Sequence, residues 1–136
     1  MVMNLWKLFG SGGAKRPFYT RKSIKPVTRN NIEAEWRQIN VLLNGKQPSQ
    51  LRQALIKADK TLDNALRDLV IGETMGERLK NAYSLFERRL YDKIWKAHKM
   101  RNALVHESGY EPPHHMVNKS ISDLKTALNK LGVTGL

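Results

Sequence analysis

The stretch of residues 86–106, FERRLYDKIWKAHKMRNALVH, decides the fold because its apolar residues recur with the spacing of an α-helix. At about 100° per residue, the face within about 60° of Arg101 holds Leu90, Ile94, Ala97, Leu104 and Val105. The spacing predicts a helix from about Phe86 to about Val105, with Arg101 in the middle of its buried face. A buried charge is costly unless it is paired or opens into a cleft or an interface. Arg101 is therefore the first candidate functional residue.

A second arc of this helix, at roughly 60–140° from Arg101, carries polar and aromatic side chains: Arg88, Tyr91, Trp95, His98, Asn102 and His106. The remaining arc is typical of solvent-facing surface and holds Arg89, Asp92, Lys93, Lys96 and Lys99. A helix that only packs against a core needs two faces, so the second arc is predicted to serve a function.

Other helical segments flank this one, and no stretch alternates as a β-strand does. The first predicted helix runs from Asn30 to Gly45, with Asn30 as N-cap and Glu33 completing a capping box. The second runs from Pro48 to Gly72, and a short third helix follows the cap Thr74. A last helical segment ends at Gly132. Short loops between helices favour antiparallel neighbours. The sequence therefore predicts an all-α, up-and-down bundle of four to five helices.

The charge balance predicts a polyanionic partner. The chain has 136 residues, 24 Lys and Arg against 12 Asp and Glu, a net charge of +12 and a pI near 10.2. Such a balance favours nucleic acid or an anionic membrane surface, although a basic surface can also serve solubility alone. With no cysteine, disulfides, thiol nucleophiles and cysteine-based zinc sites are excluded. We find neither a transmembrane segment nor a signal peptide and expect a cytoplasmic protein.

The first 29 residues differ from the rest of the chain. They hold seven basic residues, no acidic one, a Gly-Ser-Gly-Gly run and two prolines. This composition predicts a flexible basic arm at 1–29 and a helical domain at 30–136. Aromatic residues between the charges suit stacking on RNA or packing on the domain itself. The first nine residues also suit an interfacial membrane anchor. The candidate RNA-binding residues are Lys15, Arg16, Arg21, Lys22 and Lys25 in the arm, with His98 and Lys99 in the long helix.

The spacing of Arg101, Asn102 and His106 resembles the R-x4–6-H motif of the HEPN superfamily (higher eukaryote and prokaryote nucleotide-binding domains), in the variant with Asn after the Arg. The surrounding residues 95–107, WKAHKMRNALVHE, and the upstream segment 75–80, MGERLK, are similar to those of small bacterial members. The resemblance covers about residues 30–132, which is the predicted globular part without the arm.

The resemblance implies a homodimer in which the motif helices of two copies meet, and a metal-independent endoribonuclease site at their interface. It makes Arg101, Asn102 and His106 the catalytic candidates, with Glu77, Tyr91 and Trp95 as supporting residues and Glu77 as the acidic partner of Arg101. Imidazoles serve as acid and base near neutral pH, and a guanidinium binds phosphate through paired hydrogen bonds. We expect no cofactor and no metal. The expected partners are RNA, a second copy of the chain and an antitoxin or another protein.

Several alternatives stay open at this point. The main alternative to a nuclease is a non-catalytic HEPN module that binds RNA or nucleotide or mediates protein association. Structural roles also stay open for individual residues. Arg101 would pair with Glu77, Glu107 or Asp92, His106 would interact with the helix dipole, and His98 would pack. The adjacent His114 and His115 are a weak metal signal, and a place in a loop or at a helix start explains them better.

Overall fold

The computed structural model describes residues 23–136, and this part of the chain is all-α, as predicted. It contains five α-helices, α1 Pro26–Gly45, α2 Pro48–Leu69, α3 Met75–Asn81, α4 Arg88–His106 and α5 His114–Lys130, with a 3₁₀ turn at Tyr83–Leu85. No β-strand occurs in residues 23–136. None of the helices described here combines the length and the hydropathy that a membrane crossing requires.

Helix α2 lies at the centre of the bundle. Helices α1 and α5 pack along it, and α4 packs on α5 and on α2. The core between them contains Trp36, Leu55, Leu62, Leu66, Ile94 and Leu124, all of them almost fully excluded from solvent. Trp36 Nε1 donates to Thr61 Oγ1 at 3.1 Å, and Thr61 Oγ1 donates to the carbonyl of Ala58 at 2.7 Å. The polar atoms of this buried contact are therefore satisfied.

The ends of the helices follow local chemistry. Proline occupies the first turn of both α1 and α2, where its missing N–H leaves no carbonyl unpaired. The predicted cap of α3 is confirmed, because Thr74 Oγ1 accepts from the backbone N–H of Glu77 at 3.1 Å. After α5, Gly132 adopts a φ of 99°. This left-handed residue lets the Val133 N–H return to the Leu128 carbonyl at 2.9 Å.

The first helix begins earlier than the sequence predicts. It starts at Pro26 with Lys25 as N-cap, so Asn30 lies inside the helix and caps nothing. Ile24 is buried, the Lys25 backbone N–H donates to Asp68 Oδ2 at 2.9 Å, and the Arg29 guanidinium donates to the Gly132 carbonyl. Residues 24–29, predicted as arm, therefore pack with the domain. The other arm candidates, Lys15, Arg16, Arg21 and Lys22, and the first nine residues lie outside the described part of the chain.

The segment around α3 is held on α2 by a buried arginine. Arg78 Nε and Nη2 donate to the two carboxylate oxygens of Asp63 at 2.7 and 3.1 Å, and its Nη1 donates to the Gly72 carbonyl at 2.7 Å. Helix α3 also contacts α4. Tyr91 Oη donates to the Leu79 carbonyl at 3.0 Å, and a Cβ built on Gly76 would lie 3.9 Å from the Trp95 ring. Helix α3 thus packs on the part of α4 that carries Tyr91 and Trp95.

Candidate functional site

Helix α4 buries most of the face that the sequence predicts. Leu90, Ile94, Ala97 and Leu104 are buried. Val105 is the exception, with 46% of its surface exposed, because only the Leu104 side of the last helical turn packs on the core. The prediction for Val105 is therefore wrong. The last turn of α4 presents an apolar residue to solvent, next to the exposed His106.

Arg101 lies at the boundary between this core and the solvent, with 32% of its side chain exposed. Its Nη1 donates to Asn102 Oδ1 at 2.9 Å. Its Nε lies 3.8 Å from Asp59 Oδ2, which is an ion-pair contact longer than a hydrogen bond. This Nε is buried and has no hydrogen-bond partner among the described residues. The guanidinium is thus charge-paired on its inner side and open on its outer side.

Asp59, on α2, is the acidic residue that faces Arg101. Only 3% of its side chain is exposed. Its Oδ2 lies 2.9 Å from His98 Nδ1, and its Oδ1 is buried without a hydrogen-bond partner among the described residues. His98 is also buried, and its Nε2 lies 3.4 Å from Asn102 Nδ2. Asp59, His98, Asn102 and Arg101 thus form a closed ring of polar contacts, here called the Asp59 cluster.

The acidic partners that the sequence offers for Arg101 are engaged elsewhere or exposed. Glu77, the partner that the resemblance implies, accepts the backbone N–H of Glu73 at 2.9 Å at the start of α3. Asp92 accepts from Arg88 Nε at 3.1 Å, and Glu107 is exposed beyond the end of α4. The carboxylate beside Arg101 is Asp59. Sequence reasoning missed it, although Asp59 interrupts an apolar stripe between Leu55 and Leu62.

His106 lies at the end of α4 and is exposed. It follows Asn102 by four residues, so the two share one helix face. It lies about 140° around the helix and about 7.5 Å along it from Arg101. Within one copy of the chain, His106 therefore flanks the Asp59 cluster without joining its hydrogen bonds.

The aromatic residues of the second arc pack edge to face in the direction of His98. The rings of Tyr91 and Trp95 lie 6.4 Å apart at 83°, and those of Trp95 and His98 lie 6.0 Å apart at 69°. Both Tyr91 and Trp95 are half-buried. They support the position of the His98 ring and leave part of their own surface on the outside of α4.

Of the candidate RNA-binding residues that the structure describes, His98 is buried, whereas Lys25 and Lys99 are exposed. His98 is buried against Asp59, which agrees with the alternative of a packing role. Lys25 keeps half of its side chain exposed, with its Nζ 3.9 Å from Asp68. Lys99 is exposed on the outer arc of α4, as a phosphate contact requires.

A cleft of about 400 Å³, which the sequence analysis did not predict, adjoins the end of α4. Arg52 lines this cleft and donates from Nη1 to the Leu104 carbonyl at 3.3 Å, which satisfies a carbonyl of the last helical turn. His114 also lines it, at the start of α5, while His115 is exposed. Within residues 23–136, no three His, Asp or Glu side chains are grouped closely enough to hold a metal ion.

The Asp59 cluster leaves about a third of the Arg101 side chain exposed, and an exposed imidazole, His106, follows at the end of the same helix. This arrangement can bind an anion and transfer a proton close to it. Comparisons of the chain with protein-family models, with curated proteins and with solved structures give no match.

Proposed function

We propose that this chain is a metal-independent endoribonuclease of the HEPN type, with an active site formed where the α4 helices of two copies meet. The observation that carries the proposal is the Arg101 guanidinium, bonded to Asn102 at 2.9 Å and still one-third exposed. The exposed His106 lies at the end of the same helix. The spacing of these three residues resembles the motif of HEPN nucleases.

The chemistry needs three groups. A base removes the proton from the ribose 2′-OH, whose oxygen attacks the adjacent phosphorus, and an acid protonates the departing 5′-oxygen. A cation stabilises the charge that develops on the phosphorane. His106 is proposed as the base or the acid, and Arg101 as the cation. Asn102 orients Arg101 by accepting its Nη1–H. The products are a 2′,3′-cyclic phosphate and a 5′-hydroxyl.

A homodimer supplies what one copy lacks. One chain offers one motif histidine, and a two-fold axis along α4 doubles both His106 and Arg101. The half-buried Trp95 and the exposed Val105 support an interface on this face of α4. The net charge of +12 supports RNA as substrate through sequence-independent phosphate contacts. If the nuclease acts as a toxin, an acidic antitoxin is the matching protein partner in the cytoplasm.

The proposal is tested with the purified full chain, mixed cellular RNA and EDTA. We expect cleavage to persist in EDTA and to leave 2′,3′-cyclic phosphate ends. His106→Ala abolishes cleavage, and His115→Ala, which removes an exposed histidine from α5, serves as the matched control and leaves it unchanged. Arg101→Lys also impairs cleavage, because one ammonium cannot face Asp59 and Asn102 at once and still bind phosphate in two places.

The 2′-deoxy counterpart of a cleaved RNA gives the decisive comparison. DNA should bind and stay intact, because it lacks the nucleophile. Equal cutting of both polymers contradicts the proposed mechanism. RNA that is bound but never cut would instead identify a non-catalytic binding module.

A further inference from the structure

We infer that Asp59 is a positioning residue that, through His98, sets the orientation of the Asn102 amide and of the Arg101 guanidinium. The role of these two groups in RNA cleavage rests on the proposed function, whereas their orientation by Asp59 does not. Asp59 belongs to α2 and lies 39 residues before His98 in sequence, so neither the α4 motif nor its spacing includes it.

The contact with Asp59 sets the tautomer of His98. A carboxylate oxygen only accepts hydrogen bonds, so the nitrogen that lies 2.9 Å from Asp59 Oδ2 must carry the proton. That nitrogen is Nδ1. In the neutral ring the other nitrogen, Nε2, then carries a lone pair and accepts. Asp59 therefore determines which hydrogen-bonding character His98 presents to α4.

The tautomer of His98 in turn sets the orientation of the Asn102 amide. With an acceptor at His98 Nε2, the amide turns its NH₂ group toward the ring, at 3.4 Å, and its Oδ1 toward Arg101 Nη1, at 2.9 Å. The reversed amide would place an oxygen against a lone pair and two N–H groups against a cation. Both contacts would then be repulsive, so the tautomer selects a single orientation of Asn102.

Asp59 also acts on Arg101 directly. The same Oδ2 that accepts from His98 lies 3.8 Å from Arg101 Nε, which attracts the inner edge of the guanidinium toward the core. Arg101 is thus held at Nε by charge and at Nη1 by Asn102. About a third of the side chain remains exposed to solvent. A guanidinium oriented before its ligand arrives loses less conformational entropy on binding phosphate.

Asp59 differs from a carboxylate that serves stability alone, and Asp63 provides the comparison one helical turn away. Asp63 uses both oxygens on one arginine, with distances of 2.7 and 3.1 Å to Arg78. Asp59 leaves its buried Oδ1 without a partner among the described residues. Leaving a buried carboxylate oxygen unpaired is unfavourable for folding, so stability alone does not explain the acid at position 59.

The experiment compares Asp59→Asn with Asp63→Asn in the full chain. Nitrogen-15 NMR of the imidazoles reads the tautomer of His98 directly, without any RNA. We expect the wild-type ring to be protonated at Nδ1 alone. An amide at position 59 can accept from Nδ1–H or donate to Nδ1, so Asp59→Asn should populate both tautomers and shift the Arg101 Nε–H resonance. Asp63→Asn should change neither signal.

RNA cleavage provides the second readout. Exchanging the orienting Asp of a catalytic histidine for Asn lowers kcat by about 10⁴-fold in serine proteases. Because Asp59 acts here through two intervening side chains, we expect a loss of roughly 100-fold at saturating RNA, with RNA affinity changed by less than about threefold. His98→Gln should keep much of the activity, because glutamine also offers one donor and one acceptor, whereas His98→Leu should not.

The inference is overturned by a wild-type His98 that carries its proton on Nε2 or on both nitrogens. It is equally overturned by an Asp59→Asn ring indistinguishable from wild type, or by equal activities of His98→Gln and His98→Leu. If the wild-type chain cleaves no RNA, the proposed function fails, while the NMR comparison still decides what Asp59 orients. If Asp59→Asn does not fold, the wild-type tautomer and the His98 pair decide.

Discussion

Replacing Arg78 by methionine tests how the bundle holds α3 over the aromatic part of α4. Methionine keeps an unbranched apolar stem like that of arginine but removes the guanidinium. Arg78 is 7% exposed in its side chain and Asp63 is 14% exposed, so the substitution leaves a carboxylate in a largely dry place. It also leaves the Gly72 carbonyl without the donor that contacts it at 2.7 Å.

The expected cost follows from these contacts. Removing one partner of a buried ion pair costs about 3–5 kcal/mol. Asp63 keeps a second cation, since Arg67 Nη2 lies 3.4 Å from its Oδ2. Because Arg67 is mostly exposed and screened, it offsets only part of the loss. We therefore expect Arg78→Met to lower the free energy of unfolding by about 3 kcal/mol, which corresponds to roughly 12 °C in Tm for a domain of this size.

Urea unfolding followed by circular dichroism measures this cost. Arg88→Met is the matched control, because Arg88 also pairs with an aspartate, at 3.1 Å, but is 86% exposed. Its loss should change stability by less than about 0.5 kcal/mol. The double variant Arg78→Met, Asp63→Asn should be more stable than Arg78→Met alone, because the uncompensated charge is gone. A cost below about 1 kcal/mol for Arg78→Met, or a double variant no more stable than it, refutes this reasoning.

Two further outcomes test the assembly and the arm. Fully burying a valine contributes about 1.5 kcal/mol, so covering the exposed 46% of Val105 in two copies contributes roughly 1.4 kcal/mol. Val105→Asp should therefore weaken the dimer at least about tenfold in sedimentation, with the exposed Val41→Asp on α1 as control, and unchanged association removes α4 from the interface. Deleting residues 1–22, which hold five basic residues, should lower the slope of log affinity for single-stranded RNA against log salt by up to about 3.5 in fluorescence anisotropy while helicity is retained. An unchanged slope would assign the arm to another task.

Periodicity predicted the helices well, because each helix buries a continuous apolar stripe whose spacing is visible in the sequence. Thr74 was predicted as a cap because its hydroxyl acts within its own turn. The predicted start of α1 at Asn30 was wrong for a related reason. Asn30 and Glu33 match a capping box, but Pro26 already provides a first turn, and Ile24 is buried ahead of it. The sequence pattern does not report that earlier contact.

For the candidate site, the sequence predicted the position of Arg101 but not the carboxylate beside it. The helical wheel identified Arg101 as a charge on a buried face, and the structure places it there with its inner edge toward a carboxylate. The partner could not be named, because helical spacing fixes which residues share a face but not which face of another helix lies opposite. The nominated Glu77 is a local cap. Asp59 would have been found by the test applied to Arg101, since it too stands between leucines at helical spacing, four residues after Leu55 and three before Leu62.

Two carboxylates of α2, Asp59 and Asp63, align helices α3 and α4 around the candidate site. Both carboxylate oxygens of Asp63 accept hydrogen bonds from Arg78 on α3. Asp59, one turn earlier, contacts His98 and Arg101 on α4. Apolar contacts are not directional, so packing alone selects the register of α3 and α4 on α2 less strictly than hydrogen bonds do. Hydrogen bonds to two fixed carboxylates are directional, so they define one register. The position of the Arg101 guanidinium is thus determined by α2, although every residue of the motif lies on α4.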